Sequence, residues 1–369
     1  MSKVEQNRLG FIEGLRGLAA LYVVFQHIGT MVDPHFKMLR PGAQPEYLAR
    51  IMAPFWYGHF AVSAFIVISG FCLQMALYHR GDGQLLDLKK FLVRRMRRIL
   101  PPYYACLALS LVVCFSVTQH QKGLPWAHYL PVTNENIAAH VFMVHNLSKD
   151  WMYKINGVLW SIAIEFQLYF LFPAFCAVIW KRGALPVLAL AGVFCAGVML
   201  AFPASEKLYP WYGVLFILGM AAARWAMDPR LKRLPVSALT GVFVLFFSLA
   251  LASIGWTKEL VWRDGLMGIA VSALLMAGLQ SPESRWCKII GAKPLMVLGT
   301  FSYSLYLMHH PILQVIYANR PAVASTMVRQ YAFLIACLPL VAGLCYAFFW
   351  VFERPFMGAK KVASREGEP

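Results

Sequence analysis

Three titratable side chains lie in the first apolar stretch of the sequence, where a charge is unfavourable. The stretch FIEGLRGLAALYVVFQHIG contains Glu13, Arg16 and His27. On a helix, the spacing from Arg16 to His27 leaves the two side chains about 20° apart in direction and about 16 Å apart along the axis. A guanidinium and an imidazole on one stripe suit a long substrate with an anionic head and a reactive far end. The alternatives are a snorkelling arginine and a packed, hydrogen-bonded histidine.

A group of arginines with no lysine among them follows in the stretch FLVRRMRRILPPYY. Its members are Arg94, Arg95, Arg97 and Arg98. Planar guanidinium groups suit bidentate contacts with phosphate. Arg95 and Arg98 are three residues apart and therefore share one face of a helix. The cluster predicts either an anion site or a signal that only fixes the orientation of the chain in a membrane.

Two later apolar stretches are unusually polar. LWSIAIEFQLYFLFP places Glu165 one helical turn before Tyr169 on the same face. A carboxylate in such a helix needs a partner, and we expect an arginine or a histidine. The stretch TFSYSLYLMHHPI carries Ser302, Tyr303, Ser304, Tyr306, His309 and His310. These residues are candidates for a polar pocket, and hydrogen bonding between helices is the alternative.

The composition indicates that these stretches are helices in a membrane. Of the 369 residues, 59% are hydrophobic and 14% are charged, where soluble domains carry about a quarter charged. A mean hydropathy of +0.58 excludes an ordinary soluble protein. About ten runs are long enough to span a bilayer, which needs about 20 residues. They are 11–31, 56–78, 96–117, 159–180, 184–202, 210–227, 236–254, 261–279, 297–316 and 331–352.

The distribution of charge predicts the orientation. The formal charge of +17 would indicate a nucleic-acid surface in a soluble protein. Here we attribute it to basic cytoplasmic loops, and we expect no nucleic-acid partner. With both termini in the cytoplasm, the cytoplasmic segments hold 23 of the 34 Lys and Arg residues and the other side holds 11. We therefore predict an all-α polytopic membrane protein with about ten spans, N-in and C-in.

Neither the cysteines nor the linkers indicate a further site or domain. The eight cysteines are scattered without a CxxC pair, so we predict no metal site and no disulfide framework. No internal repeat and no long Gly/Ser or Pro-rich linker is visible. We predict one domain over residues 1–369, with a core of about 8–357 and a basic, polar cytoplasmic tail at 358–369. The long connections 32–55 and 118–158 are either functional loops or structural caps.

Six motifs occur in an order that resembles the acyltransferase-3 family of integral membrane acyltransferases. They are the Arg16-x10-His27 spacing, SAFIVISGF, RRxxRIxP from Arg94, WSIAIExxxYxxxP from Trp160, SYSLYLMHHP and the terminal FERPF. The resemblance covers residues 8–357. One departure is the GHFAV that opens the second apolar run, where the family typically has a GVxxF pattern.

The resemblance implies transfer of an acyl group, most often acetyl, from cytoplasmic acyl-CoA to a hydroxyl of a cell-surface or lipid-linked glycan. It also implies a multi-pass protein of the bacterial cytoplasmic (inner) membrane. His27 would act as general base, and Arg16 would hold a phosphate or a polarised carbonyl, as would Arg95 and Arg98. Glu165 would orient His27 or an arginine, and Tyr169 would be a further donor to the acyl donor or the oxyanion. Ser302, Tyr303 and His309 are the remaining pocket candidates.

Two other classes of protein fit parts of the pattern. A secondary transporter or glycan exporter would use His27, Glu165 and the arginines as a proton or anion relay. No inverted repeat and no matched pair of interrupted helices supports it. A non-catalytic sensor or scaffold leaves the polar side chains unexplained. Consumption of acetyl-CoA distinguishes the enzyme from both.

Overall fold

Helices make up most of the described chain, as the apolar runs predict. The computed structural model describes residues 3–33, 46–55, 57–78, 87–120, 129–229, 231, 233–257 and 259–357. Within these ranges no β-strand occurs, so the all-α prediction is confirmed. The predicted tail 358–369 and parts of both long connections lie outside the described residues.

The α-helices in these ranges are numbered in chain order. They are α1 (Lys3–Val32), α2 (Glu46–Met52), α3 (Gly58–Tyr78), α4 (Leu88–Ser116), α5 (Asn134–Val141), α6 (Leu159–Arg182), α7 (Ala184–Ala201), α8 (Tyr212–Met227), α9 (Val236–Trp256), α10 (Leu260–Gln280), α11 (Arg285–Ile290), α12 (Lys293–Thr300), α13 (Ser302–Ala318), α14 (Met327–Ala336) and α15 (Leu338–Phe348). A π-helical turn, Phe349–Glu353, and a 3₁₀ turn, Arg354–Phe356, follow α15.

Seven of the predicted segments are helices long and apolar enough to cross a membrane: α1, α3, α4, α6, α7, α9 and α10. The other three fall on shorter or interrupted helices. The α8 helix has 16 residues, and the segment 297–316 is broken between α12 and α13. The pair α14 and α15 bends by 42° where Pro339 begins the second helix without a backbone N–H. The described chain thus has seven candidate spans, or eight if the bent pair is one span. The count of about ten spans and the N-in, C-in orientation stay predictions.

Several helix contacts are close enough to require glycine, and two of them illustrate this. A Cβ on Gly299 of α12 would lie 1.9 Å from the carbonyl oxygen of Glu13 on α1. A Cβ on Gly219 of α8 would lie 2.0 Å from the carbonyl oxygen of Val67 on α3. Small residues allow helix backbones to approach this closely in membranes. These contacts fix the position of α1, which carries Arg16 and His27, and that of α3, which packs against α1.

Peripheral and central helices differ in what they expose. Large apolar side chains on α7 and α9 are exposed, including Leu190, Leu200 and Val244. Exposed apolar surface of this kind matches lipid rather than water. The α3 helix is mostly buried, since α1, α8 and α10 pack around it. Polar side chains on α3 therefore face protein.

Residues 129–158 form a folded cap of short helices. A capping box of Thr133 and Asn136 begins α5. The rings of His140 and His145 stack with centroids 3.9 Å apart, and the hydroxyl of Tyr103 donates to the carbonyl oxygen of His140 over 2.8 Å. Burial lowers the pKa of His140 to about 4 and that of His145 to about 3. Both rings are neutral at pH 7, which fits the structural-cap interpretation of this connection.

Candidate active site

A cavity of about 120 Å³ lies among α1, α3, α4, α6 and α13. Each of these helices contributes polar side chains to an otherwise apolar wall. The polar lining residues are Arg16, Ser69, Cys72, Arg95, Arg98, Ser161, Glu165, Tyr169, Ser302, Tyr303 and Tyr306. Seven of the nine site residues predicted from the sequence therefore line one cavity. The exceptions are His27 and His309.

The arginine cluster divides into two faces. Arg95 and Arg98 line the cavity, whereas Arg94 and Arg97 are exposed, as the spacing predicts. The Arg95 guanidinium lies 5.8 Å from the ring centre of Phe91 and 5.9 Å from that of Tyr169. These cation–π contacts hold the Arg95 guanidinium in place, and its N–H donors are not bonded to a carboxylate.

Arg16 and Arg98 complete the positive part of the wall. Arg16 forms an ion pair of 3.4 Å with Glu13, one turn earlier on α1. For Arg98, no hydrogen bond or ion pair with another described residue is found, although Glu353 is near enough to interact electrostatically. The guanidinium donors of Arg95 and Arg98 can therefore bind an anionic group, and phosphate is the anion that they suit best.

Glu165 and Tyr169 form a hydrogen-bonded pair inside the cavity. The hydroxyl of Tyr169 donates to Oε1 of Glu165 over 2.5 Å, and Ser69 Oγ lies 3.1 Å from the same hydroxyl. Because the Tyr169 proton is engaged by the carboxylate, Ser69 donates to Tyr169. The hydrogen-bond partner of Glu165 is thus Tyr169, and Arg16 and Arg95 are near enough to interact with the carboxylate electrostatically. Tyr169 contributes its ring to Arg95, and its hydroxyl must exchange partners before it can donate to a ligand.

The two remaining predicted residues pair with each other. Nε2 of His309 on α13 lies 2.9 Å from Nδ1 of His27 on α1. His309 is fully buried, and His27 is half-buried. The His310 ring meets the His27 ring edge-on at 5.0 Å between centroids and lies 3.1 Å from the hydroxyl of Tyr129 through its Nε2. Sequence spacing placed His27 on the Arg16 stripe but did not pair it with His309.

The hydrogen bonds of His309 assign the protons on both rings. Nδ1 of His309 lies 2.8 Å from the carbonyl oxygen of Leu305, which only accepts, so Nδ1 carries a hydrogen. Burial away from water disfavours a charged ring, and Nε2 of the neutral His309 therefore accepts. His27 must then donate through Nδ1, and in the neutral form of this ring Nε2 carries the lone pair. This is the protonation state of a general base.

Tyr306 connects the histidine pair to the cavity. Its hydroxyl shares a hydrogen bond of 2.7 Å with Ser161, and both residues line the cavity. Its ring centre lies 6.1 Å from that of His309 on the same helix. The histidines therefore lie just beyond the wall that Tyr306 forms. One part of the site can hold an anionic ligand, and the adjacent part can take a proton.

Glu353 and Ser302 add to the site in ways that residue types alone did not reveal. Oε2 of Glu353, in the FERPF motif, accepts from the backbone N–H of Ser304 over 3.2 Å and from its hydroxyl over 2.5 Å. It holds the start of α13 and is near Arg16 and Arg98. The signal in the sequence that could have identified Glu353 is a lone carboxylate at the end of the last apolar run. Ser302 Oγ is buried without a hydrogen-bond partner among the described residues, so it is an available donor in the cavity wall.

The described histidine, cysteine and carboxylate side chains are dispersed. In the ranges given above, no group of three or more His, Cys, Asp or Glu residues is arranged to hold a metal ion. Eight free cysteines are found there, and six of them are buried. The polar groups of the site are arginines, a histidine pair, hydroxyls and two carboxylates with hydrogen-bond donors.

Comparison with known proteins gives one consistent result. The acyltransferase-domain family matches residues 9–353. The peptidoglycan O-acetyltransferase OatA of Listeria monocytogenes is 28% identical over 82% of this chain and 49% of its own length. O-acetyltransferase OatA of Staphylococcus aureus is 25% identical over 91% of this chain and 56% of its own length. A putative peptidoglycan O-acetyltransferase of Bacillus subtilis, YrhL, is 29% identical over 69% of this chain and 44% of its own length.

These matches confirm the resemblance seen in the motifs. The chain spans about half the length of the curated relatives it matches. Comparison with solved structures gives no significant match. Since the family matches nearly the whole described core, the chain belongs to the acyltransferase-domain family of multi-pass membrane proteins.

Proposed function

We propose that the protein is a membrane-bound O-acyltransferase that moves an acetyl group from cytoplasmic acetyl-CoA to a hydroxyl of a cell-surface or lipid-linked glycan. The observation that carries the proposal is the His27–His309 hydrogen bond of 2.9 Å next to an arginine-lined cavity. It combines a base whose lone pair is fixed with guanidinium donors for an anionic donor molecule. Family membership supports the reaction class.

The chemical step follows from these groups. Nε2 of His27 takes the proton of the acceptor hydroxyl while that oxygen bonds to the acyl carbon. The carbonyl oxygen becomes an oxyanion, which needs hydrogen-bond donors, and the hydroxyls of Tyr306 and Ser161 lie in the cavity wall one turn from His309. Collapse breaks the carbon–sulfur bond, and the proton on His27 passes to the leaving thiolate. The products are the ester and free coenzyme A.

The donor binds at the arginine end. Arg95 and Arg98 contact the phosphates of coenzyme A, and Glu165 with Tyr169 keeps Arg95 in place. Because basic residues favour the cytoplasmic side, this end faces the cytoplasm, with both termini inside and about ten spans. The membrane is the bacterial cytoplasmic membrane. The acyl group, and not the whole coenzyme, passes toward the acceptor.

Cysteine labelling tests this orientation. With the native cysteines replaced, we compare Lys149→Cys, in the cap, with Lys288→Cys, on α11; both lysines are exposed. A membrane-impermeant thiol reagent should label position 149 in intact spheroplasts and position 288 only after lysis. Labelling of position 288 from outside would reverse the orientation and remove the cytoplasmic donor site.

The acceptor is a carbohydrate hydroxyl, and the names of the relatives make peptidoglycan the first one to test. We would incubate the purified full chain in nanodiscs with [¹⁴C]acetyl-CoA and peptidoglycan oligosaccharides. Transfer predicts labelled saccharide whose label is released by mild base, as an ester requires, together with one free thiol per acetyl group. A transporter or exporter would consume no acetyl-CoA, and that result would contradict the proposal.

A further inference from the structure

A second histidine–carboxylate pair lies outside the groups described so far. Asp264, near the start of α10, has no exposed surface. Its Oδ1 accepts from Ser63 Oγ on α3 over 2.8 Å, and its Oδ2 accepts from the Trp211 indole N–H over 2.9 Å. A buried carboxylate held on both oxygens has a fixed position and direction.

His59 is the basic side chain that faces this carboxylate. Its Nδ1 lies 3.9 Å from Oδ2 of Asp264 and 3.4 Å from the hydroxyl of Tyr212. The side chain of His59 is 23% exposed, whereas that of Asp264 is fully buried. Since Nδ1 faces Asp264, the other ring nitrogen, Nε2, points away from it.

The neighbouring arginine is directed elsewhere. The guanidinium of Arg263 donates to the carbonyl oxygens of Thr257 and Ile254 and lies 4.7 Å from the ring centre of Tyr57. It contributes to the electrostatic field at Asp264, but its Nη2 donates to the backbone and not to this carboxylate. Asp264 and the Tyr212 hydroxyl therefore both face Nδ1 of His59, and together they orient its ring.

The spacing on α3 places His59 next to the part of the cavity that is farthest from the arginines. His59 is on the same face of α3 as Val62, Ile66 and Ser69, which line the cavity. Its ring packs against Trp160, with centroids 5.6 Å apart, and Trp160 directly precedes the lining residue Ser161. His59 thus lies one helical turn beyond Val62, on the side away from the arginines.

We propose that His59, oriented by Asp264, binds a hydroxyl of the carbohydrate acceptor through its Nε2 at this end of the cavity. A neutral, polyhydroxylated molecule is recognised by fixed planar hydrogen-bonding groups beside aromatic side chains, and His59 next to Trp160 provides both. His59 is an acceptor-binding residue and Asp264 a positioning residue. The assignment rests on the proposed acyl transfer, because without an acceptor the pair has no ligand here.

The test compares two amides that replace the two ring nitrogens. The amide of His59→Gln reaches the position of Nε2, and that of His59→Asn reaches only the position of Nδ1. With [¹⁴C]acetyl-CoA and peptidoglycan oligosaccharides, His59→Asn should raise the acceptor KM about tenfold and His59→Gln about threefold or less. Asp264→Asn should raise it about fivefold, with kcat and the donor KM little changed. His120→Gln, an exposed histidine bonded to the backbone of Phe115, is the matched control.

The outcomes separate this proposal from the transfer reaction itself. If the wild-type protein transfers no acetyl group, the proposed function fails. If it does, but the two histidine variants show equal acceptor KM or change the donor KM instead, the acceptor assignment fails and the reaction stands.

A second measurement needs no variant. Diethylpyrocarbonate modification of His59, followed by mass spectrometry of the wild-type chain, should slow at least about threefold with saturating oligosaccharide and not with coenzyme A. Protection by coenzyme A, or none by the oligosaccharide, would overturn the assignment.

Discussion

The arginine-lined cavity and the His27–His309 pair are adjacent but built differently. In the cavity, Arg95 lies over aromatic rings and Arg98 interacts with Glu353 only electrostatically. The N–H donors of both guanidinium groups therefore stay available for a ligand. In the pair, His309 is fully buried and bonded at both nitrogens, so one ring orientation is fixed. The difference indicates a division of work. In the proposed reaction, the cavity binds the charged donor reversibly, and the histidine pair keeps a single proton-accepting atom in place.

Removal of the base should give the largest effect. His27→Ala should lower kcat by about 10²–10⁴-fold, the range that general-base catalysis supplies, with the donor KM nearly unchanged. Steady-state assays in nanodiscs measure both constants. His120→Ala, at an exposed histidine bonded to the backbone of Phe115, is the control. Near-normal turnover in the His27 variant would remove this residue from the mechanism.

Loss of the ring that orients His27 should be the next largest effect. His309→Leu keeps much of the volume but leaves Nδ1 of His27 without its acceptor, so the ring can adopt the wrong tautomer. We expect kcat to fall about 10–100-fold, by analogy with the loss of groups that orient a catalytic ring. A single-turnover experiment with bound donor isolates this step. An unchanged single-turnover rate would show that the hydrogen bond to His309 does not matter.

Changes in the cavity should act on donor affinity instead. Arg95→Ala or Arg98→Ala should raise the donor KM about tenfold each, the loss of one charge-assisted contact. Arg94→Ala and Arg97→Ala, on the exposed face of the same turn, should stay within about twofold. Each of these four variants removes one positive charge. They differ only in whether the replaced side chain lines the cavity or lies on the exposed face. Equal effects in all four would favour the topological interpretation of the cluster.

The smallest effect should come from the group that supports Arg95. Tyr169→Phe keeps the ring beneath the guanidinium but removes the hydroxyl shared by Glu165 and Ser69. We expect the donor KM to rise about threefold, close to the worth of one neutral hydrogen bond, with kcat retained. Titration with acetyl-CoA measures it. A large fall in kcat would instead assign the Tyr169 hydroxyl to the oxyanion.

The sequence predicted the apolar helices and the shared face of Arg95 and Arg98 because both depend on local spacing. It also marked Glu165 and Tyr169 as a pair, since they are one turn apart. It did not pair His27 with His309 or Asp264 with His59, because those contacts join residues more than 200 positions apart. The GHFAV departure marked His59 as unusual without giving it a partner. The interrupted α12–α13 segment was also missed, since hydropathy does not register a break at one residue.

The most direct test of the different roles of the two regions is to measure coenzyme A binding separately from acetyl transfer. Isothermal titration of coenzyme A into nanodiscs would compare the wild-type chain, His27→Ala and the double variant Arg95→Ala/Arg98→Ala. We predict that His27→Ala binds with the wild-type Kd while transferring acetyl about 10²–10⁴-fold more slowly, and that the double variant loses about 100-fold in affinity. If His27→Ala loses coenzyme A binding while the double variant keeps it, the roles assigned to the two regions are wrong.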